Sequence, residues 1–111
     1  MSDEEISNYM FNIVRIGSLY ESNTHLMFSK DNNNNYIVIF KYVTTSITIN
    51  ILDIEDMTYG KDNYLRITFR PDSNMGREKF RTKEHEAIIK IFKKMKDKAI
   101  EFKDESNNRL S

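Results

Sequence analysis

The sequence predicts a mainly β domain with one C-terminal α-helix, and three observations lead to this fold class. Between residues 8 and 82, apolar runs of strand length alternate with short segments rich in glycine, asparagine or serine. From residue 83 onward, apolar residues recur at spacings of three and four, the period of an amphipathic helix. No such helical segment separates the earlier strands, so the strands should pair antiparallel rather than form parallel β-α-β units.

Composition indicates a single domain. The chain has 111 residues, of which 39% are hydrophobic and 31% charged, and this suits one modest core. Cysteine is absent, so disulfides, zinc–thiolate sites and thiol nucleophiles are excluded. The longest apolar runs are about five residues, far below the roughly 20 needed to cross a bilayer, and the acidic N-terminus has no apolar signal core. We expect one intracellular domain over 1–111, with loose tails at 1–7 and 104–111.

Six or seven strands are predicted before the helix. The first lies at 8–20, with a bend at Gly17, and the second at 25–29, after a polar turn at 21–24. The third lies at 36–43, after an asparagine-rich loop. The fourth is centred on Ile47, Ile49 and Ile51. Further along, residues 54–59 lead into a turn at 60–63. The clearest alternation is YLRITFR (64–70), in which Leu65, Ile67 and Phe69 point inward. A last strand at 77–82 places Phe80 inward.

One amphipathic helix is expected to close this sheet. Its apolar stripe comprises Ile88, Ile91, Phe92, Met95, Ala99 and Phe102. Thr82 is the expected N-cap, and the helix is placed at 83–103. Strands with an apolar face cannot lie flat and open in water, so the sheet should curl into a partly open barrel capped by the helix.

Three segments resemble modules of the pleckstrin-homology superfamily. GSLYESNTHLMFS (17–29) looks like a hairpin of GRAM domains, and a similar hairpin occurs in the N-terminal pleckstrin-homology domain of a transcription factor IIH core subunit. ILDIEDM (51–57) resembles the strand that precedes the following turn in those families. YLRITF, EKF and the helix follow one another in the same order as the last strands and the helix of those families. The resemblance covers residues 11–103. It implies a pleckstrin-homology-like curled antiparallel sheet that serves as an interaction module.

No catalytic or metal-binding signature accompanies this outline. His25 and His85 are far apart in sequence, are expected on a strand face and on the surface, and have no ligand at metal spacing. The carboxylates of Asp53, Glu55 and Asp56 should diverge on a strand or turn. Because the glycines are isolated, no phosphate-binding loop is predicted. We therefore expect a protein that is not an enzyme and that uses no cofactor and no metal.

Charge is distributed unevenly along the chain. Residues 1–60 contain three basic and eight acidic residues, whereas residues 61–103 contain thirteen basic and seven acidic residues. Part of the positive excess falls on outward positions of the last two strands. There, a tyrosine among cations can hold an apolar side chain while its neighbours pair with carboxylates. These positions, called the basic face below, are Lys61, Tyr64, Arg66, Thr68, Arg70, Lys79, Arg81 and Lys83.

The resemblance implies the same kind of partner. In the transcription factor IIH module, the corresponding strand and helix start contact acidic, partly disordered segments of activators and repair factors. Tyr64 and Arg66 match that strand, Lys83 matches the basic residue at the helix start, and Lys61 is a looser match. The implied role is peptide binding in transcription or DNA repair. The nucleus is then favoured over the cytoplasm, and the chain would be a monomer or a subunit of a complex.

Other interpretations stay open from the residues alone. A GRAM-like membrane-lipid adaptor would use Arg15 and Lys30, but it is disfavoured because the loop at 21–24 carries one negative charge and no positive one. A structural subunit of a larger assembly would use an apolar patch near Met10, Phe11 and Met27.

The basic face itself has a simpler explanation. Outward residues of an antiparallel strand are normally polar, and lysine or arginine there often protects a sheet from aggregation. Nucleic acid is a weaker alternative, because the net charge is zero and one aromatic residue is expected to be exposed in the patch.

Overall fold

The computed structural model describes residues 9–72 and 76–110, with side chains up to Glu105, and the predicted tail at 1–7 lies outside these residues. The elements, in chain order, are β1 (Tyr9–Ile16), β2 (Glu21–Lys30), β3 (Tyr36–Lys41), β4 (Ser46–Asn50), a 3-10 helix (Ile51–Asp53), β5 (Ile54–Tyr59), β6 (Leu65–Phe69), β7 (Arg77–Arg81) and α1 (His85–Leu110). All seven strands form one antiparallel sheet, in the order β4-β3-β2-β1-β7-β6-β5. The sheet is curled and unclosed, so the predicted mainly β fold with one C-terminal helix is confirmed, and its topology is pleckstrin-homology-like.

Two antiparallel meanders build the sheet, β1 to β4 and β5 to β7. The 3-10 helix carries the chain from one outer edge of the sheet to the other. The meanders meet between β1 and β7, where the pairs in register are Val14 with Arg81 and Arg15 with Phe80. We call this junction the seam. Between described residues, it is spanned by the ion pairs of Arg15 with Glu78 at 2.9 Å and of Arg81 with Glu21 at 2.7 Å.

The strict alternation predicted for β6 is observed. Leu65, Ile67 and Phe69 are buried in the core, and the residues between them lie on the outer face. On β7, Phe80 is fully buried, as predicted, and its ring stacks on that of Phe40 at a centroid distance of 5.9 Å. The inward residues of the closing strands therefore tie the two meanders into one core.

Helix α1 supplies the other side of this core. The stripe residues from Ile88 to Ala99 are buried as predicted, whereas Phe102, at the end of the stripe, keeps 41% of its surface exposed. The helix packs against the 3-10 helix, β5 and β3. From its flank, the Lys96 Nζ donates hydrogen bonds to the carbonyl oxygens of Ile54 (2.6 Å) and Glu55 (2.8 Å) on the edge strand β5. This places a cation where peptide carbonyls would otherwise face water.

The predicted N-cap was wrong by two residues. The Thr82 hydroxyl accepts a hydrogen bond from the Glu84 amide at 3.0 Å, and the Glu84 carbonyl accepts the first helical bond, from the Ile88 amide at 3.0 Å. Glu84 therefore occupies the capping position, and Thr82 shapes the turn before it. The helix begins at His85 instead of 83 and continues to Leu110, beyond the predicted end at 103.

The first hairpin also differs from the prediction. The strand expected at 8–20 ends at Ile16, residues 17–20 form the turn, and the predicted turn at 21–24 is the beginning of β2. The Gly17 amide donates to the Tyr20 carbonyl at 3.0 Å, and a Cβ on Gly17 would lie only 2.8 Å from that oxygen. Glycine at this position is therefore part of the turn rather than a bend inside a strand.

The middle strands are shorter than predicted. The segment expected at 36–43 ends at Lys41, because the Tyr42 amide donates to the Thr45 carbonyl at 2.8 Å and closes a tight turn. After β4, the Asn50 side chain accepts from the Leu52 amide at 2.9 Å and starts the 3-10 helix. Ile51, expected on the strand, is buried in that helix, and the segment 51–57 divides between it and β5.

Phe80 offers a direct test of the core. Phe80→Ala should lower the free energy of unfolding by about 3–5 kcal/mol, because it empties a fully buried site between the two meanders. Phe102→Ala removes the same atoms from a partly exposed site and should cost much less. Urea denaturation of both variants measures the difference, and equal losses would contradict the packing described.

Candidate functional site

The centre of the basic face is assembled by the pairing of β6 with β7. Arg66 lies opposite Lys79 and Thr68 lies opposite Arg77, all on the outer side of the sheet. The Lys79 Nζ sits 4.6 Å from the centroid of the Tyr64 ring, within the range of a cation–π contact. The structure therefore brings together Tyr64, Arg66, Thr68 and Lys79, as the alternation predicted.

Arg66 is paired with a carboxylate of its own hairpin. Both of its terminal nitrogens donate to the two carboxylate oxygens of Asp62, in the turn between β5 and β6. A Cβ on Gly60 would lie 2.8 Å from both the Arg66 Nη1 and the Asp62 Oδ1, so glycine makes room for this pair. The guanidinium hydrogen bonds lower the pKa of Asp62 from 3.8 to about 2.

Arg81 is likewise occupied. Its two terminal nitrogens donate to the two carboxylate oxygens of Glu21 on β2, each at 2.7 Å, in a fork-to-fork geometry. This hydrogen bonding lowers the pKa of the Glu21 carboxyl. Because the pair also spans the seam, Arg81 has a structural role in addition to any role in binding.

Arg70 lies apart from the rest of the basic face. It follows the last residue of β6, where its guanidinium lies 3.3 Å from the carboxylate of Asp72 and 4.0 Å from that of Asp53. Four residues of extended strand separate Arg70 from Arg66, a distance of roughly 13 Å. The basic face is therefore not one continuous patch.

The remaining lysines flank a cleft at the other end of the face. The cleft has a volume of about 360 Å³ and is lined by Asn12, Val14, Tyr59, Asn63, Arg81, Thr82 and Lys83. Lys61 is exposed in the turn that also supplies Asn63, and Lys83 is exposed at the cleft. Within the described ranges, neither lysine forms an ion pair, so no carboxylate of those ranges neutralises their charges.

A stacked pair of rings borders this cleft and was not predicted. The Tyr59 and His85 rings are nearly parallel, with centroids 3.5 Å apart. His85, expected to be a surface residue, is half-buried, and its Nδ1 is buried without a hydrogen-bond partner in the described part of the chain. No periodicity signals such a contact, because the two residues lie on different elements.

Arg15 and Lys30, the cations that a membrane-lipid adaptor would use, do not lie close enough to form one binding site. Arg15 lies across the seam from Glu78, with a bond of 2.9 Å, and this hydrogen bond raises the pKa of Arg15. Lys30 lies at the far end of β2, where its Nζ is 5.1 Å from the centroid of the Tyr36 ring. Eight residues of strand separate Lys30 from Ser22, the residue opposite Arg15, so the two cations are roughly 25 Å apart.

The apolar patch of the structural-subunit alternative is reduced to two residues. Met10 is exposed, and Met27, opposite it in register, is half-buried on the same outer face. Phe11 instead points into the core and is buried, because neighbouring strand residues face opposite sides of the sheet.

No protein-family model, curated protein sequence or solved structure matches this chain. The part of the chain that the structure describes contains no group of three or more acidic or histidine side chains that could hold a metal ion. Over the same residues, no helix is long and apolar enough to cross a membrane.

The Arg66–Asp62 pair has a measurable signature. Asp62 should titrate near pH 2, and Arg66→Gln should return its pKa toward 3.8, because the guanidinium hydrogen bonds are removed. The lowered pKa means that the pair stabilises the hairpin above about pH 4, and that this contribution is lost as the pH falls toward 2. Carboxyl NMR titration measures both values, and an Asp62 midpoint near 4 in the unmodified protein would contradict the pairing.

Proposed function

We propose that this chain is a non-catalytic interaction domain that binds acidic, partly disordered peptide segments. The binding surface combines Tyr64 and Lys79, at the centre of the basic face, with Lys61, Lys83 and the cleft beside Tyr59 at its other end. By its resemblance, we assign it to the pleckstrin-homology type found in a transcription factor IIH subunit, with a role in transcription or DNA repair and a nuclear location.

The observation that carries this proposal is the combination of unpaired lysines and an apolar cleft. Lys61 and Lys83 lack carboxylate partners within the described part of the chain, whereas Arg66 and Arg81 already hold Asp62 and Glu21. An incoming carboxylate therefore gains most at the two lysines. The cleft offers the walls of Val14 and Tyr59 to one aromatic or aliphatic side chain of the same segment.

Charge alone would not make this surface specific. Helix α1 also exposes lysines on its outer face, but these project from a convex surface. A segment that is only acidic should therefore bind either surface weakly, with strong screening by salt. A segment that places an apolar anchor among its acidic residues should prefer the cleft, because burial of the anchor adds to the ionic contacts.

The test uses a fluorescein-labelled peptide of aspartate and glutamate with one central phenylalanine. Lys61→Glu combined with Lys83→Glu should weaken its binding by about tenfold or more, since two attractive contacts become repulsive. Fluorescence anisotropy measures the affinity, and thermal denaturation should show little change because both side chains are exposed.

The matched control is Lys93→Glu with Lys94→Glu on the outer face of α1, which makes the same change in net charge. This variant should bind the peptide nearly as well as the unmodified protein. Equal losses for the two double variants would show that binding follows net charge alone, and no binding by the unmodified protein would overturn the proposal. A peptide with alanine in place of phenylalanine should bind less tightly if the cleft holds the anchor.

A further inference from the structure

The two outer edges of the sheet differ in how they are protected. On β5, the pairing with β6 is interrupted by a bulge between Ile54 and Asp56, and the Lys96 Nζ binds the carbonyls of Ile54 and Glu55. Glu55 and Asp56 also expose negative charge along this edge. Bulges, covering side chains and charges are the usual means by which proteins prevent another strand from adding to an edge.

The β4 edge has none of these protections among the described residues. Its pairing with β3 is regular over five residue pairs. Residues 42–52 form the longest stretch of the chain without a charged residue, in a protein that is 31% charged. Ser46, Ile47 and Thr48 are exposed, and the segment is rich in β-branched residues, which favour an extended backbone.

Among the described residues, no strand pairs with the outer side of β4, so its backbone presents hydrogen-bonding groups outward. The Tyr42 amide bonds to the Thr45 carbonyl, and antiparallel pairs alternate between bonded and non-bonded along a ladder. The hydrogen-bonded pairs between β3 and β4 are therefore Phe40 with Ile47 and Val38 with Ile49. The peptide groups of Ile47 and Ile49 face β3. By the same alternation, the amides and carbonyls of Ser46 and Thr48 face away from the sheet, as does the Asn50 amide, whereas the Asn50 carbonyl accepts the first bond of the 3-10 helix that Asn50 caps.

We propose that this edge pairs with the β4 edge of a second copy of the chain. An antiparallel arrangement with its two-fold axis at Thr48 would place Ser46 opposite Asn50 of the other copy and Thr48 opposite its own equivalent. Thr48 then both donates to and accepts from its equivalent, and the Asn50 amide donates to the Ser46 carbonyl of the other copy, so the edge is complementary to itself. The pairing would join two seven-stranded sheets into one.

The absence of charge along the β4 edge favours a second copy of the chain as its pairing partner. In a two-fold interface, a charged residue near the axis meets its own like charge, so a self-pairing edge must be uncharged there. The chain as a whole has a net charge of zero, so long-range repulsion between copies is also absent. This assembly is independent of the proposed peptide binding, and of the two states expected from the sequence, a monomer or a subunit of a complex, it corresponds to the second.

The test is sedimentation velocity from micromolar to near-millimolar concentration. The unmodified protein should shift from its monomer mass of 13.2 kDa toward twice that value. Thr48→Lys should weaken association by about tenfold or more, because it places two ammonium groups opposite each other at the axis. Thr48→Pro should also abolish association and keep the fold, since the amide that it removes faces away from β3.

The matched control is Thr58→Lys on the exposed side of β5, at the protected edge, which should associate like the unmodified protein. Far-ultraviolet circular dichroism confirms that each variant is folded. The proposal is overturned if the unmodified protein stays monomeric at the highest concentration, if the folded Thr48→Lys variant still dimerises, or if Thr58→Lys is equally disruptive. A concentration-dependent slowing of amide exchange at Thr48, but not at Ile47 or Ile49, would support it without any substitution.

Discussion

Every other feature of this domain depends on covering one apolar sheet surface with one amphipathic helix. The inward residues of the seven strands and the stripe of α1 form a single core, in which Phe28, Phe40 and Phe80 are fully or almost fully buried. Burial of such rings contributes roughly 1.5–3 kcal/mol each. A flat sheet would cover these rings on one side only. Burying them therefore requires both the curl of the sheet and the helix.

The outer side of the closing strands shows how the protein manages a high density of charge. Arg66 is held in a bidentate pair by Asp62 of its own hairpin, and Arg81 by Glu21 of β2, two strands away. Exposed pairs of this kind contribute little to stability individually, but they fix the orientation of the guanidinium groups. Lys61 and Lys83 have no such partners within the described residues, and this contrast distinguishes charges that organise the surface from charges that are available to another molecule.

The sequence was most informative where a pattern is local. The period of two in residues 64–70 correctly identified the faces of β6, and the period of three and four located α1 and the buried part of its stripe. It failed at 17–24, because polar residues such as Glu21 and Asn23 look like a turn yet occupy the outer face of a strand. The backbone hydrogen bond that places the turn at 17–20 leaves no periodic signal.

Pairing between distant residues could not be predicted either. Glu21 and Arg81 are 60 residues apart, and Arg15 and Glu78 are 63 apart, so their contacts depend on which strands become neighbours. The sequence placed Arg66 and Arg81 on the outer face, but it could not show that each was already bound to a carboxylate. The alternation of inward and outward strand residues therefore located the candidate site. The ion pairs in the folded chain then showed which of its charges remain available.

The seam has a consequence for how this chain acquires its structure. Within each meander, contacts join strands that are close in sequence, whereas the register pairs of the seam join residues 65 and 67 positions apart, Arg15 with Phe80 and Val14 with Arg81. Closing such a long loop costs more conformational entropy than forming a hairpin, and proteins rich in distant contacts fold more slowly. Hairpins within each meander are therefore expected to form faster than the contacts between β1 and β7, and docking along the seam is the step expected to limit the folding rate.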